Sequence, residues 1–195
     1  MPHLIMIAGP NGSGKTTTAP ALLDKALNIS AFVNADTIAQ GLSAFKPESA
    51  AIEAGRIMLK RIWSLAAEKM NFAFETTLAT RTFAINLIPK LKKENYQIHL
   101  TFLWLQSPDL AVSRVKERIK MGGHSVPEEV IRRRYKAGLK NFFSLYKPLI
   151  DSWQIYDNSN AKELHLIASE TVEKKLTVKN TNIWKKLLEE YSNEK

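Results

Sequence analysis

Short, mostly apolar runs alternate with stretches of helical periodicity along most of this chain. Residues 3–8 form the first run, which stops at Gly9-Pro10-Asn11-Gly12 as a buried strand does on entering a tight loop. Residues 15–27 read as a helix, 31–35 as a second short strand, and 47–70 as a long amphipathic helix with Pro47 near its first turn. A third strand over 72–74 ends at Glu75-Thr76-Thr77, and 82–94 is helical, with Pro89 as the place for a kink. Residues 98–105 are apolar on both faces, which predicts a central strand. Two basic helices follow over 108–120 and 127–146, then a fifth strand over 153–156. A hairpin (164–167 with 176–179) and a charged helix over 183–191 close the pattern. Strands alternating with helices imply a parallel sheet with right-handed crossovers and helices on both faces.

The 195 residues and 22.0 kDa suit one domain, and 45% hydrophobic residues suffice for a sizeable core. Zero cysteines exclude disulfides, thiolate metal sites and cysteine nucleophiles, and fit a reducing compartment. The start, Met1-Pro2-His3, lacks the features of a secretory signal, and no window reaches the ~18 apolar residues of a membrane span. A cytoplasmic location is the expectation. The formal net charge of +9 is uneven: residues 114–140 hold nine Lys/Arg against three Glu, contributing +6. Such a cluster marks an anionic partner, and a nucleotide phosphate satisfies it as well as a nucleic acid does. Only Tyr135 interleaves an aromatic ring with it, which argues against stacked bases and hence against nucleic acid.

Gly9-Pro10-Asn11-Gly12-Ser13-Gly14-Lys15-Thr16 is a full match to G-x-x-x-x-G-K-[ST], between a predicted strand and a predicted helix. Its glycines let successive amides turn inward around phosphate oxygens. Lys15 supplies charge to the terminal phosphates, the Thr16 hydroxyl is placed to ligate Mg²⁺, and the helix that carries Thr17 directs its positive end at the anion. A chain of this length matches the pattern by chance roughly one time in a hundred or less. These residues are the candidate ATP contacts, in a P-loop NTPase fold.

Phosphoryl transfer further requires a carboxylate to position the attacking hydroxyl and positive charge on the migrating group. Asp36 and Glu75 end the second and third predicted strands, on the rim where open parallel sheets bind ligands. Asp36 also reads as an N-cap for a helix beginning Thr37-Ile38. Gly122-Gly123 separates the two basic helices as a hinge would, making 114–140 a candidate lid. Arg114 and Arg118 share one helix face, whereas Arg132, Arg133 and Arg134 point in three directions, so not all three reach the phosphates. Ile131, Tyr135, Leu139 and Phe142 form the apolar stripe of that second helix, and His124 between the helices reads as a loop hydrogen-bonding residue. Tyr156-Asp157-Asn158-Ser159 follows the last strand of the sheet, where a loop is expected against the adenine.

Taken together, Gly9 to Thr16, Asn34-Ala35-Asp36-Thr37-Ile38, Phe74-Glu75-Thr76-Thr77-Leu78 and Gly122-Gly123-His124-Ser125-Val126-Pro127 with Arg132-Arg133-Arg134-Tyr135 resemble the zeta-toxin-like branch of P-loop kinases. The resemblance spans about residues 4–157. It implies a three-layer α/β/α, adenylate-kinase-like fold with a five-stranded, mostly parallel sheet and a helical lid. The whole of 1–195 is then one kinase domain, with a C-terminal extension over about 160–195. It also implies ATP- and Mg²⁺-dependent phosphorylation of a hydroxyl, with UDP-amino sugars as the family's best-known substrates and an antitoxin-like protein as a partner. By resemblance Asp36 is the base, Glu75 and Thr77 are sugar-nucleotide contacts, and Arg118 with an arginine of the trio, taken as Arg134, serves the lid. Where the family pattern carries an Arg two residues after the Thr, this chain has Ala79, and Arg81 two further on is the candidate substrate contact. The rival readings are a nucleotide switch acting through a partner and a kinase of nucleic-acid ends.

Overall fold

The computed structural model describes residues 1–23, 29, 31–44, 46–123, 125–160 and 163–192. Its strands are β1 (His3–Ala8), β2 (Ala31–Val33), β3 (Phe72–Thr76), β4 (Gln97–Trp104), β5 (Ser152–Asp157), β6 (His165–Glu170) and β7 (Leu176–Val178). They form a single sheet in the order β2-β3-β1-β4-β5-β6-β7. The first five are parallel, as expected, but the sheet has seven strands rather than five. β6 and β7 pair antiparallel on β5, so the hairpin extends the same sheet instead of standing apart as an extension.

The helices are α1 (Lys15–Leu23), α2 (Ala35–Leu42), α3 (Ala51–Ala67), α4 (Ile88–Lys93), α5 (Pro108–Lys120), α6 (Glu128–Asn141) and α7 (Thr181–Tyr191). The expected end of the first helix, beyond residue 23, lies outside the described residues, as does His124. A 3₁₀ turn over Pro47–Ala50 leads into α3. Pro89 has no amide to offer the carbonyl four residues back, and the turn before it widens to a π-helical segment, Phe83–Leu87, closed by Ile88 N–H on the Phe83 carbonyl.

Alternation along the strands divides the core between two faces. Leu4, Met6, Phe72, Phe74, Ile98, Leu100 and Phe102 belong to the large core, with side chains of α3 to α7 packed on it. Ile5, Ile7 and Ala73 face the other way, beneath Ala19 of α1. The C-terminal helix is bound by aromatic contact: Trp184 stacks on Trp153 of β5 with ring centroids 5.4 Å apart and planes 20° from parallel. The predicted stripe of α6 is fully in place, since Ile131, Tyr135, Leu139 and Phe142 are all buried. No helix among the described residues is long and apolar enough to cross a membrane.

Candidate active site

Parallel register brings the key side chains to one rim. Ile7 lies opposite Glu75 and Val33 opposite Phe74, so the phosphate loop after β1, Glu75 near the end of β3 and Asn34 after β2 become neighbours. The loop needs its glycines. Gly9 has φ +142°, and a Cβ there would lie 2.4 Å from the Leu103 carbonyl oxygen. Gly14 has φ +81°, and its Cβ would fall 2.8 Å from Asn158 Nδ2.

Lys15 is only 6% exposed, and its Nζ donates to the Pro10 carbonyl at 2.9 Å, curling back over the loop. Burial pushes its pKa down, and the charges of Glu75 and Asp36 work against that shift. Glu75 Oε1 stands 3.6 Å from Lys15 Nζ, while Oε2 accepts from the Thr16 hydroxyl at 2.7 Å and from Asn34 Nδ2 at 2.8 Å. Glu75, expected as a sugar-nucleotide contact, is thus engaged with the phosphate-loop residues themselves.

Asp36 is exposed and does not cap α2, contrary to the capping role considered for it. The cap is Asn34, whose side chain accepts from the backbone N–H groups of Asp36 and Thr37 at 2.8 and 3.4 Å. The Asp36 carboxylate lines a cavity of about 430 Å³, together with Asn11, Lys15, Thr16, Thr17, Glu75, Arg114 and Arg118.

The two basic helices are each anchored to the body of the protein. Gly122 has φ +83°; its N–H bonds the Ile119 carbonyl at 3.0 Å, and Gly123 N–H bonds that of Arg118 at 2.9 Å. This is a Schellman termination, so the glycines end α5. Ala111, Val112 and Val115 of α5 lie in the large core. α6 is fastened to the loop after β3: Asn141 Nδ2 donates to the Leu78 carbonyl at 2.7 Å, and the hydroxyl of Tyr146, just beyond α6, donates to that of Thr80 at 2.9 Å. A Cβ on Gly138 would sit 2.5 Å from the Thr77 carbonyl.

Among the three consecutive arginines the structure distinguishes clearly. Arg132 pairs with Asp109 at 2.6 Å and Glu128 at 2.8 Å on the surface, and Arg133 is exposed. Arg134 turns to the phosphate loop, where its guanidinium donates to Asn11 Oδ1 at 3.3 Å. Burial opposes its charge, and Asp36 across the site favours it. Thr77 and Arg81 do not line the cavity. Thr77 follows β3 directly, with its hydroxyl accepting from Ala79 N–H at 3.4 Å, and Arg81 is exposed further along that loop.

Two residues that the sequence placed near the site, Arg114 on the first basic helix and Asn158 in the loop after the fifth strand, turn out to be joined to each other. Arg114 donates through both terminal nitrogens, to the carbonyls of Asn158 and Ser159 at 2.7 and 2.8 Å. Asn158 Nδ2 in turn donates to the Ser13 carbonyl at 2.8 Å, tying the loop after β5 to the phosphate loop. The position of Asn34 before a helix is a capping signal that sequence reading had available, but α2 itself starts earlier than the periodicity indicated.

The donors fit the groups that the motif implies. A concave run of loop amides beside a buried ammonium suits a polyphosphate. A threonine hydroxyl next to a carboxylate is a hard oxygen set of the kind Mg²⁺ takes, with the phosphates supplying further oxygens. No group of three or more His, Cys, Asp or Glu side chains forms a dedicated metal cage among the described residues.

Comparison with known proteins agrees with this arrangement. The zeta toxin family, described as "Zeta toxin", matches residues 1–170. A Haemophilus influenzae protein (strain Rd) is 28% identical over 131 residues, covering 67% of this chain and 91% of the relative. Among solved structures, the AvrRxo1-ORF1:ORF2 complex with ATP superposes with a TM-score of 0.77 at 16% identity, over 96% of this chain and 63% of its own. This chain therefore spans less than two thirds of that protein. The PezAT chromosomal toxin-antitoxin system of Streptococcus pneumoniae gives 0.66 at 16% identity, over 100% of this chain and 80% of its own. A kinase-like protein from Chloroflexus aurantiacus gives 0.57 at 16% identity, over 83% of this chain and 88% of its own. At such identities these likenesses establish the fold. The family match, running from the first residue to the end of β6 and so through every element of the rim, makes this chain a member of the zeta toxin family.

Proposed function

We propose that this chain is an ATP-dependent kinase that phosphorylates a hydroxyl of a small molecule, with UDP-amino sugars as the substrate class and Asp36 as the base. The observation that carries the reading is the shared cavity: the Asp36 carboxylate opens onto the same space as the glycine-rich loop, Lys15 and Thr16. The loop amides hold the β- and γ-phosphates, Lys15 neutralises charge on the migrating group, and Arg134 with Arg118 approaches it from α6 and α5. Mg²⁺ held at Thr16, when bound, supplies charge neutralisation across the phosphate oxygens. Asp36 accepts a hydrogen bond from the acceptor hydroxyl, orients its oxygen in line with the γ-phosphorus and takes the proton as the new P–O bond forms and the bond to ADP breaks. Glu75, which lines the cavity, and Thr77 and Arg81, outside it on the loop fastened to α6, are the proposed contacts to the rest of the acceptor. Membership of the zeta toxin family and the PezAT neighbour support a further expectation, an antitoxin-like protein that silences the site.

The test is incubation with labelled ATP and a panel of UDP-amino sugars, other sugar nucleotides, nucleosides and 5′-hydroxyl RNA, read by mass spectrometry. Acceptor-dependent transfer to a UDP-amino sugar is the expected result. ATP hydrolysis that no acceptor stimulates would point instead to a nucleotide switch, and phosphate on RNA ends to an end-kinase.

A further inference from the structure

We propose that Asn34 is a positioning residue that ties the metal-binding side of the site to the catalytic base, an inference that rests on the kinase reading above. The resemblance set out above includes Asn34 without a role, and capping α2 does not by itself explain an asparagine there. Serine, threonine and aspartate cap a helix as well, because a cap needs only an acceptor. Asparagine carries a donor and an acceptor on one planar group, and here both are engaged. Its Oδ1 accepts from Asp36 N–H at 2.8 Å, and its Nδ2 donates to Glu75 Oε2 at 2.8 Å. The group is 7% exposed, so water does not readily replace either bond.

The same Glu75 oxygen accepts from the Thr16 hydroxyl at 2.7 Å, and the other stands 3.6 Å from Lys15 Nζ. An unbroken series of contacts therefore runs from Lys15 and Thr16, through Glu75 and Asn34, to the backbone of Asp36. Each link has a consequence. With its hydrogen directed at Glu75, the Thr16 hydroxyl keeps its lone pairs for a hard cation. With the Asn34 amide directed at the same carboxylate, Glu75 cannot swing away from Thr16. With Oδ1 on the Asp36 amide, the first turn of α2, and with it the base, is fixed relative to Thr16. Three segments far apart in the chain are thereby registered where a displacement of about 1 Å costs on the order of a hundredfold in rate.

Serine at this position separates the two roles, because it caps α2 but is too short to cap and reach Glu75 together. Aspartate also caps, and sets a second carboxylate against Glu75. The measurements are thermal melting without ligands, Mn²⁺ affinity in the presence of a non-hydrolysable ATP analogue, and steady-state transfer. Asn34→Ser should melt close to wild type, bind Mn²⁺ about 10-fold more weakly or worse, and lose about 10–100-fold in kcat with the acceptor KM little changed. Asn34→Asp should weaken Mn²⁺ binding in the same direction. Because Asn34 acts through Glu75, the Mn²⁺ effects of Asn34→Ser and Glu75→Gln should be less than additive in the double variant. Asn34→Ser equal to wild type in Mn²⁺ affinity and kcat would reduce Asn34 to a helix cap, and strictly additive effects would remove Glu75 as the intermediary. If the wild-type chain transfers phosphate to no acceptor, the kinase reading fails while the Mn²⁺ comparison still decides whether Asn34 organises the metal side.

Discussion

Asp36→Asn tests the chemistry most directly, because the fold depends so little on that carboxylate. Its side chain is exposed, and α2 is capped by Asn34 through the Asp36 backbone amide, a bond that the substitution leaves intact. The folded state loses a first-turn acid at a helix N-terminus, worth about 0.3–1 kcal/mol. Melting should therefore fall by no more than a few degrees. Nucleotide binding should persist, since Lys15 keeps Glu75 at 3.6 Å and one negative charge has been removed from the neighbourhood of the triphosphate. Transfer is another matter. Loss of a positioned base costs about 10²–10⁴-fold, equivalent to about 3–5 kcal/mol in the barrier, several times the stability effect. The assay is single-turnover transfer from γ-labelled ATP at saturating acceptor, run beside an ATP-analogue titration and a melting curve. A variant that transfers within tenfold of wild type would refute Asp36 as the base. One that loses analogue binding in proportion to its rate would show that the residue serves binding rather than transfer.

Gly14→Ala should abolish ATP-analogue binding and destabilise the chain by roughly 1–3 kcal/mol, read by titration and melting. The new methyl meets Asn158 Nδ2 at 2.8 Å in a backbone region that alanine avoids. Trp184→Ala should cost about 3–5 kcal/mol, seen as a marked drop in the urea midpoint, because it removes the stack on Trp153 and the contact with Phe143. A midpoint within experimental error of wild type would mean that α7 is not part of the cooperative unit. Stability should also rise with pH through the mildly acidic range. His3 Nδ1 and His99 Nε2 share a hydrogen bond of 3.0 Å, and burial pushes both pKa values below the ordinary 6.5. The unfolded chain therefore binds more protons between the folded and unfolded values, so this contribution is complete above pH ~6.5 and is lost as pH falls through the folded values. Urea midpoints between pH 5 and 7.5 should show the slope, and His99→Gln should flatten it.

What could be read in advance follows the range of the forces involved. The phosphate loop is a local object: its glycines, Lys15 and Thr16 are fixed by neighbours in the chain, and the structure has them as the motif requires. β4 was legible from its apolar run, although only its end, Phe102-Leu103-Trp104, is buried on both faces, while half-buried Gln97, His99 and Thr101 alternate with buried residues before it. The stripe Ile131, Tyr135, Leu139 and Phe142 was legible from helical spacings of four, four and three. Short or polar elements left weaker traces. β2 is a three-residue edge strand with Phe32 exposed, and α2, which begins at Ala35, has only eight residues, so a cap at Asp36 lies two residues late. The hairpin of β6 and β7 was visible as two strands, but strand pairing is non-local, and only the β5–β6 register shows that it joins the main sheet.

The surroundings of Glu75 and of the basic helices were beyond sequence reading for the same reason. From sequence, a carboxylate at a strand end faces the ligand side, and that is as far as periodicity goes. Which ligand it serves depends on what the parallel register sets beside it, and here that is Thr16, Lys15 and Asn34 as well as the cavity that Glu75 helps to line. Likewise, a glycine pair between two basic helices is compatible with a hinge or with a helix stop. The helix stop is shown by a positive φ at Gly122 and by the bond from Gly123 to Arg118, neither of which has a sequence signal beyond the glycines themselves. The sequence favours Arg133 and Arg134 over Arg132, and the structure gives the reason for Arg132: Asp109 and Glu128 hold it on the surface. The motif therefore accounts for how this site would grip a nucleotide. How it aligns that nucleotide with an acceptor depends on contacts among residues 16, 34 and 75, on three separate elements, and it is there that substitutions should separate binding from transfer.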